Sequence, residues 1–316
     1  MNDQATTLRN LIQCQAAFEP ALPKFGGRRA RVVMFTSGKG GVGKSILALN
    51  VAVALAQQNV RVCLLDANFG MSNIDVLCGL NGYWNFSHVL TGAKSLSEVV
   101  IKGPEGINVL PGASSLIDLA NAGERLQREV SQQLDAFEAA YDFLIVDTGA
   151  GLHETTRQFA AMAELTFIVT TPEPTSIADA YTTLKACYGE MPSCPEVLVN
   201  RAESVSQARQ ILDRIAKTAE LFLRCDMPAG CSVAEDACVP RSVAARQPFV
   251  CLTPDCPASR DVRQIAKRLL ATDRRAGGVS PLMQISRNAL ASGSRTSQKP
   301  DASQTTVTNR TRARSG

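Results

Sequence analysis

One short run constrains this chain more than any other: Ser37-Gly38-Lys39-Gly40-Gly41-Val42-Gly43-Lys44-Ser45. It contains GxxxxGK[ST], entered from the apolar run Arg31–Thr36 and left through the apolar run Ile46–Gln58. Strand, glycine-rich loop and helix in that order is the setting in which this pattern cradles phosphate. The glycines let successive backbone N–H groups point into one concavity, and the N-terminus of the following helix adds partial positive charge. Lys44 is expected to reach β- and γ-phosphates and Ser45 to ligate Mg²⁺. Gly38, Gly40, Gly41, Val42 and Gly43 are expected to form the backbone cradle.

The rest of the body reads as alternating β and α. Candidate strands are Arg31–Thr36, Val60–Leu65, Ile107–Leu110, Phe143–Val146, Leu165–Thr170 and Val197–Val199. Most are short, apolar and β-branched without period-two alternation, the pattern of strands covered on both faces. Helical stretches lie between them at Ile46–Gln58, Gly123–Ala140, Ser176–Tyr188, Ser204–Thr218 and Ser259–Leu270. The alternation predicts an α/β fold with a doubly wound, mostly parallel sheet. Two strands end in a carboxylate: Val60–Leu65 at Asp66 and Phe143–Val146 at Asp147. Asp147 is expected to hold a Mg²⁺-bound water, and the segment Thr148-Gly149-Ala150-Gly151 to offer backbone N–H groups to a γ-phosphate. Open parallel sheets bind ligands beyond the carboxyl ends of their strands, where all of these residues fall.

Charge and composition narrow the class. The chain carries +4, but residues 273–316 hold eight basic and two acidic residues, a net +6, so the first 272 residues carry −2. A slightly acidic body lacks the basic face of a nucleic-acid binder, and no direct nucleic-acid contact is expected. The 273–316 tail, Ser- and Thr-rich from Ser292, is expected to be largely disordered. No apolar run approaches the ~18–20 residues of a membrane span, and the polar N-terminus does not read as a secretory signal. Ten cysteines at scattered spacings, none as CxxC, argue for reduced cytosolic thiols rather than a disulfide framework or an iron–sulfur site. A cytoplasmic protein is expected. Residues 1–18 read as a short amphipathic helix carrying Ala5, Leu8, Leu11, Ile12 and Ala16, residues 19–30 as a Pro/Gly linker, and 31–272 as the folded body.

Lys39 is not required by a phosphate loop, yet it stands directly after the first glycine in Gly38-Lys39-Gly40-Gly41-Val42-Gly43-Lys44-Ser45. In this the loop resembles the deviant Walker A of MinD/ParA-type ATPases. That resemblance implies ATP with Mg²⁺ and a homodimer in which Lys39 contacts phosphates bound by the other subunit. The segment Asp66–Gly79 is similar to the MinD-type switch. Thr170-Thr171-Pro172-Glu173-Pro174-Thr175-Ser176 and Val199-Asn200-Arg201-Ala202 resemble the FlhG group, also called FleN or YlxH, which controls flagellar number and placement. Asp3-Gln4-Ala5-Thr6-Thr7-Leu8-Arg9 matches that group's DQAxxLR element, which MinD lacks. The resemblance implies that Asp66 and Gly149 line the nucleotide, that Asn200 reads the adenine edge, and that Asp3, Gln4, Ala5, Leu8 and Arg9 engage and stimulate FlhF, a GTPase of signal-recognition type. Flagellar C-ring components and a transcription activator are further implied partners.

The chain departs from the group at Asn68, where the switch normally reads Asp-Ala-Asp. Asparagine can hydrogen-bond an attacking water but cannot take its proton, so slow hydrolysis is expected, with a non-hydrolysing ATP-dependent scaffold or a MinD-like division-site regulator as the alternatives. Val233-Ala234-Glu235-Asp236 aligns with a turn beside the adenine, with Ala234 in place of proline. MinD-like chains usually end in a basic amphipathic helix. Here residues 280–290 offer Leu282, Met283, Ile285 and Leu290 with Arg287, a short segment from which weak, reversible membrane contact is expected.

Overall fold

The computed structural model describes residues 29–68, 73–272 and Leu282. Eight strands form one sheet: β1 Arg31–Ser37, β2 Val62–Ala67, β3 Ile101–Lys102, β4 Asn108–Leu110, β5 Phe143–Ala150, β6 Leu165–Thr170, β7 Glu196–Ala202 and β8 Cys231–Ala234. Their order is β3-β4-β2-β5-β1-β6-β7-β8, parallel throughout except for β3, which runs antiparallel to β4. The helices are α1 Lys44–Ala56, α2 Ile74–Leu77, α3 Phe86–Leu90, α4 Leu96–Val99, α5 Glu124–Ala139, α6 Glu154–Met162, α7 Pro174–Cys187, α8 Val205–Leu223, α9 Cys238–Ala245, α10 Phe249–Leu252 and α11 Pro257–Ala271, with 3-10 turns at Pro104–Gly106 and Ala113–Asn121.

The strands are apolar on both faces because both faces are covered. From β1, Val33 and Phe35 enter one core with α1 and α11, while Val32 and Met34 enter the other with α5 and α6. β5 divides in the same way, with Phe143 and Ile145 against Leu144 and Val146. Under α7 and α8, Ile168, Val197 and Val199 build a third cluster. Each large side chain fully removed from water in these layers contributes about 1.5–3 kcal/mol. α1 is buried almost all round, which explains its near-continuous apolar sequence. Its Asn50 ties α10 to α1 by accepting from Val250 N–H at 3.1 Å while donating to Ile46 carbonyl at 2.8 Å.

The chain first winds from β1 to β2 and β4, returns to place β5 between β2 and β1, and then continues outward through β6, β7 and β8. The change of direction gathers the carboxyl ends of β1, β2 and β5 side by side.

Several boundaries differ from the sequence reading. β2 runs through Asp66 to Ala67 because β5 keeps pairing with it after β4 has ended, and β5 runs through Asp147 to Ala150 because it pairs with both β2 and β1 beyond the apolar run. β3, β8, α6 and α9 are too short or too polar to stand out by periodicity. The expectation of free thiols fails for one pair, since Cys194 and Cys225 form a disulfide. The reason is topological: α8 runs back along β7 and returns the chain to where β7 began. Leu282 lies fully buried in the second core beside the sheet. Of the four apolar side chains offered to a membrane by 280–290, that one is therefore used inside the protein. The expected helix at 1–18 and most of the tail fall outside the described residues, where no further contact is assigned.

Candidate nucleotide site

The loop between β1 and α1 is shaped by two glycines in the left-handed region, Gly41 at φ +79° and Gly43 at φ +90°. Gly43 is the N-cap of α1 and offers no side-chain cap, and no acidic residue occupies the first turn. The leading N–H groups of a long buried helix thus face outward without a side-chain acceptor, the arrangement that favours an anion. Gly38 has a different reason to be glycine. A Cβ there would stand 2.4 Å from the Asp179 carbonyl oxygen and 2.7 Å from Thr183 Oγ1, so the loop and α7 approach too closely for any side chain.

Lys44 turns back across the loop and donates to Asp147 Oδ1 at 2.6 Å, with Ser45 Oγ 3.5 Å from the same ammonium. The Lys44 side chain is 8% exposed and that of Asp147 is fully buried. Burial raises the Asp147 carboxyl above its ordinary value, opposed by the Lys44 charge and by hydrogen bonds from Lys44 and Ser45. Its Oδ2 finds no hydrogen-bond partner among the described residues. On the neighbouring strand Asp66 is in register with Asp147, and it has a structural task of its own. Its Oδ1 accepts from Asn68 N–H at 3.1 Å, and its Oδ2 accepts from Asn73 N–H at 3.0 Å and Ile74 N–H at 3.3 Å. One carboxylate thus joins Asn68 to the start of α2 within the switch segment. Asn68 is half-buried at the mouth of this group.

Two expected contacts take a form that the sequence did not disclose. Asn200 lies beneath the loop and donates from Nδ2 to the Val42 carbonyl at 2.8 Å, and a Cβ on Gly43 would come within 2.3 Å of that nitrogen. In this structure its amide therefore supports the loop. Lys39 lies on the outer side of the loop and donates to Glu173 Oε2 at 2.7 Å and Thr175 Oγ1 at 3.3 Å, at the start of α7. The Lys39 hydrogen bond and charge hold the exposed Glu173 carboxyl below its usual range. Ser37 donates to the Lys39 carbonyl at 3.0 Å, and Arg201, at φ +57°, donates to the Gly41 carbonyl at 3.2 Å. Glu173, Thr175 and Arg201 lay in segments quoted for the resemblance, but no spacing rule links them to the loop.

The stretch after Asp147 needs a correction. Its N–H groups are not all available to a ligand, because Gly151 N–H donates to the Ser37 carbonyl at 2.9 Å and Thr148 and Ala150 belong to β5. Gly149 sits in that strand beside an irregularity in the β1–β5 register between Phe35 and Ser37. Lys44, Ser45, Asp66, Asn68 and Asp147 are thus brought to one locus, with the loop glycines above it and Asn200 below. Lys39 points elsewhere, and Asp3, Gln4, Ala5, Leu8 and Arg9 lie outside the described residues.

Replacing Lys44 by alanine strands a buried carboxylate, which costs about 3 kcal/mol. The sign of its pH dependence follows from Asp147. A raised native value means that the native state binds more protons than the unfolded state from 3.8 up to that value, so stability rises as pH falls through this window. Without Lys44 the carboxyl rises further. Urea denaturation of Lys44→Ala should show its largest deficit at neutral pH and a shrinking one on acidification. A deficit independent of pH would mean that Asp147 is not the group left uncompensated.

Comparison with known proteins agrees with this geometry. Residues 30–187 match the AAA domain family. Antiactivator FleN of Pseudomonas aeruginosa is 34% identical over 194 residues, covering 61% of this chain and 69% of FleN. Flagellum site-determining protein YlxH of Helicobacter pylori is 34% identical over 187 residues, covering 58% of this chain and 62% of YlxH. Among solved structures, the MinC:MinD cell division protein complex of Aquifex aeolicus superposes with a TM-score of 0.61 at 25% identity, covering 79% of this chain and all of the matched chain. With a deviant phosphate loop on a doubly wound sheet and these relatives, the chain belongs to the FlhG (FleN/YlxH) group of MinD/ParA-type P-loop ATPases.

Proposed function

We propose that this protein is an ATP-dependent dimerising switch that regulates flagellar number and placement. MinD/ParA-type ATPases bind ATP with Mg²⁺ and hydrolyse it, and the flagellar role is that of the relatives named above. One observation carries the reading: the loop holds two lysines with opposite surroundings. Lys44 is buried against Asp147, whereas the Lys39 side chain is 41% exposed on a surface carboxylate. A cation on the outside of a phosphate loop, released by exchanging a weak surface ion pair, is suited to a facing subunit's phosphates. Ser45 and, through water, Asp147 are the residues to hold Mg²⁺, which when bound neutralises charge between the phosphates. The α1 N-terminus without a side-chain cap and the Asp147 Oδ2, unpartnered among the described residues, fit that assignment.

Sedimentation with a non-hydrolysable ATP analogue tests the dimer. The wild-type protein should shift to a dimer and Lys39→Ala should remain monomeric. Equal behaviour of the two proteins would remove Lys39 from the interface.

Hydrolysis is slow in this reading because Asn68 occupies the position of a carboxylate. Phosphoryl transfer depends mainly on positioning and charge stabilisation, which Lys44, the loop N–H groups and Asp147 retain. A general base commonly adds ~10²–10⁴ in rate. Asn68→Asp should therefore raise kcat by at least about tenfold while leaving ATP affinity nearly unchanged, as read by steady-state phosphate release and ATP titration. Unchanged kcat would show that another group holds the water. Release at the buffer rate from both proteins would favour the scaffold alternative.

The partner we assign to Asp3, Gln4, Ala5, Leu8 and Arg9 is a signal-recognition-type GTPase, FlhF, engaged by a short amphipathic helix. Deletion of residues 1–18 should abolish stimulation of that GTPase and leave ATP binding intact. A deletion that stimulates as well as the full chain would dispose of this assignment.

A further inference from the structure

Cys238 and Cys256 lie 18 residues apart in sequence, and their sulfurs are 2.6 Å apart. That is only about half an ångström beyond the ~2.05 Å disulfide bond. The fold builds this approach. Asp236, in the turn after β8, accepts Cys238 N–H on Oδ1 at 2.9 Å and Ala258 N–H on Oδ2 at 3.3 Å, so one carboxylate stitches the start of α9 to the start of α11. Cys238 is the first residue of α9 and Cys256 is the N-cap of α11. Ser259 Oγ stands 3.2 Å from Cys256 Sγ and donates to the Thr253 carbonyl at 2.8 Å, which fixes the second thiol from below.

Asp236, Cys238 and Cys256 are also the one group of three metal-type donors among the described residues. The geometry argues against a metal. Two thiolates on one tetrahedral metal at ~2.3 Å each stand roughly 3.7 Å apart, and both Asp236 oxygens already accept backbone N–H groups. The sulfurs are too close for a shared ion.

We propose that Cys238 and Cys256 are an oxidation site that takes a peroxide and closes to a reversible disulfide. Cys256 is half-buried and meets the oxidant first, whereas Cys238 is buried. Burial, followed by the neighbouring Cys256 thiol, pushes the Cys238 thiol up to about 12, so it stays protonated and is the weaker nucleophile toward free peroxide; its part in the second step comes from its sulfur already standing against that of Cys256. The Cys256 sulfur attacks one peroxide oxygen and the O–O bond breaks. Cys256 becomes a sulfenic acid, and the departing hydroxide leaves as water with the thiol proton. The Cys238 sulfur then attacks the Cys256 sulfur, the S–O bond breaks, and a second water leaves with the Cys238 proton. Two thiols are oxidised by two electrons and one peroxide is reduced to two waters.

The cross-link would lock the turn after β8 onto α11, which packs along α1, the helix that begins with Lys44 and Ser45. Slower nucleotide exchange in the oxidised protein is the expected consequence. That consequence rests on the nucleotide reading above, but the cross-link itself does not.

Peptide mapping tests the site on the full chain. The reduced protein is treated with hydrogen peroxide, free thiols are alkylated, and the chain is cut with trypsin and a glutamate-specific protease. Cleavage at Glu235 separates Cys238 from Cys225 and Cys231. The expected result is a Cys238 peptide joined to the 247–260 peptide, ~2 Da lighter than the two thiols and split again by dithiothreitol. The link should persist in Cys251→Ser and vanish in Cys256→Ser. Separate alkylation of both peptides after oxidation would overturn the proposal, as would a link that survives Cys256→Ser. So would stoichiometric zinc retained by the reduced wild-type protein and lost in Cys256→Ser. A protein that fails to bind nucleotide leaves the peptide map unchanged, so failure of the functional reading is distinguishable from failure of this one.

Discussion

The buried ion pair between Lys44 and Asp147 is the interaction on which the site depends. Two charges removed from water regain only part of their hydration in each other, and the surplus acceptor at Asp147 Oδ2 regains none from the described residues. The protein tolerates this because the sheet leaves no alternative. The register sets Asp147 opposite both Phe35 and Asp66, so the carboxylate must sit where the loop turns into α1. A phosphate offers Lys44 a more strongly charged partner, and a divalent cation offers Asp147 one. Under the proposed nucleotide reading, the pair is a set of contacts that the ligand can exchange.

The second lysine follows a different physics. Lys39 and Glu173 both stand in contact with water, so their pairing is weak and is screened by salt. A contact that weak orients Lys39 without committing it. The close approach of Gly38 to α7 holds the base of the same stretch firmly, with Asp179 and Thr183 pressed against it. A rigid stem with a loosely tethered charged tip is suited to capture by a more negative partner.

How much of this was legible in the sequence depended on whether a feature was local. The phosphate loop, the parallel sheet and the two acidic strands are written in contiguous residues, since glycine spacing and apolar runs act over a few positions. The Asn200 contact to Val42, the Glu173 contact to Lys39 and the disulfide between Cys194 and Cys225 join residues brought together only by the winding of the sheet. β5 outran its apolar run because strand pairing, rather than hydrophobicity, decides where it ends. Leu282 shows the same limit at the tail. Its apolar pattern suggested a lipid contact, yet a leucine cannot declare from sequence which apolar surface it covers, and here that surface is the second core.

Asn68 also bears on the charge balance of this locus. The locus already holds Asp66 and Asp147 on adjacent strands in register, with Lys44 as the cation bonded to Asp147. Asp66 adds to the forces raising the Asp147 carboxyl, behind burial itself. A third carboxylate two residues beyond Asp66 would place more negative charge beside a pair that is already poorly balanced, and like charges at such range oppose ionisation of one another. Asparagine keeps nearly the same shape and hydrogen-bonding reach without that cost. Its presence keeps the negative charge at this locus to the two strand-end aspartates that the sheet sets side by side. In the proposed ATP switch, the residue that cannot take a proton from water is thus also one that adds no charge beside the Lys44–Asp147 pair.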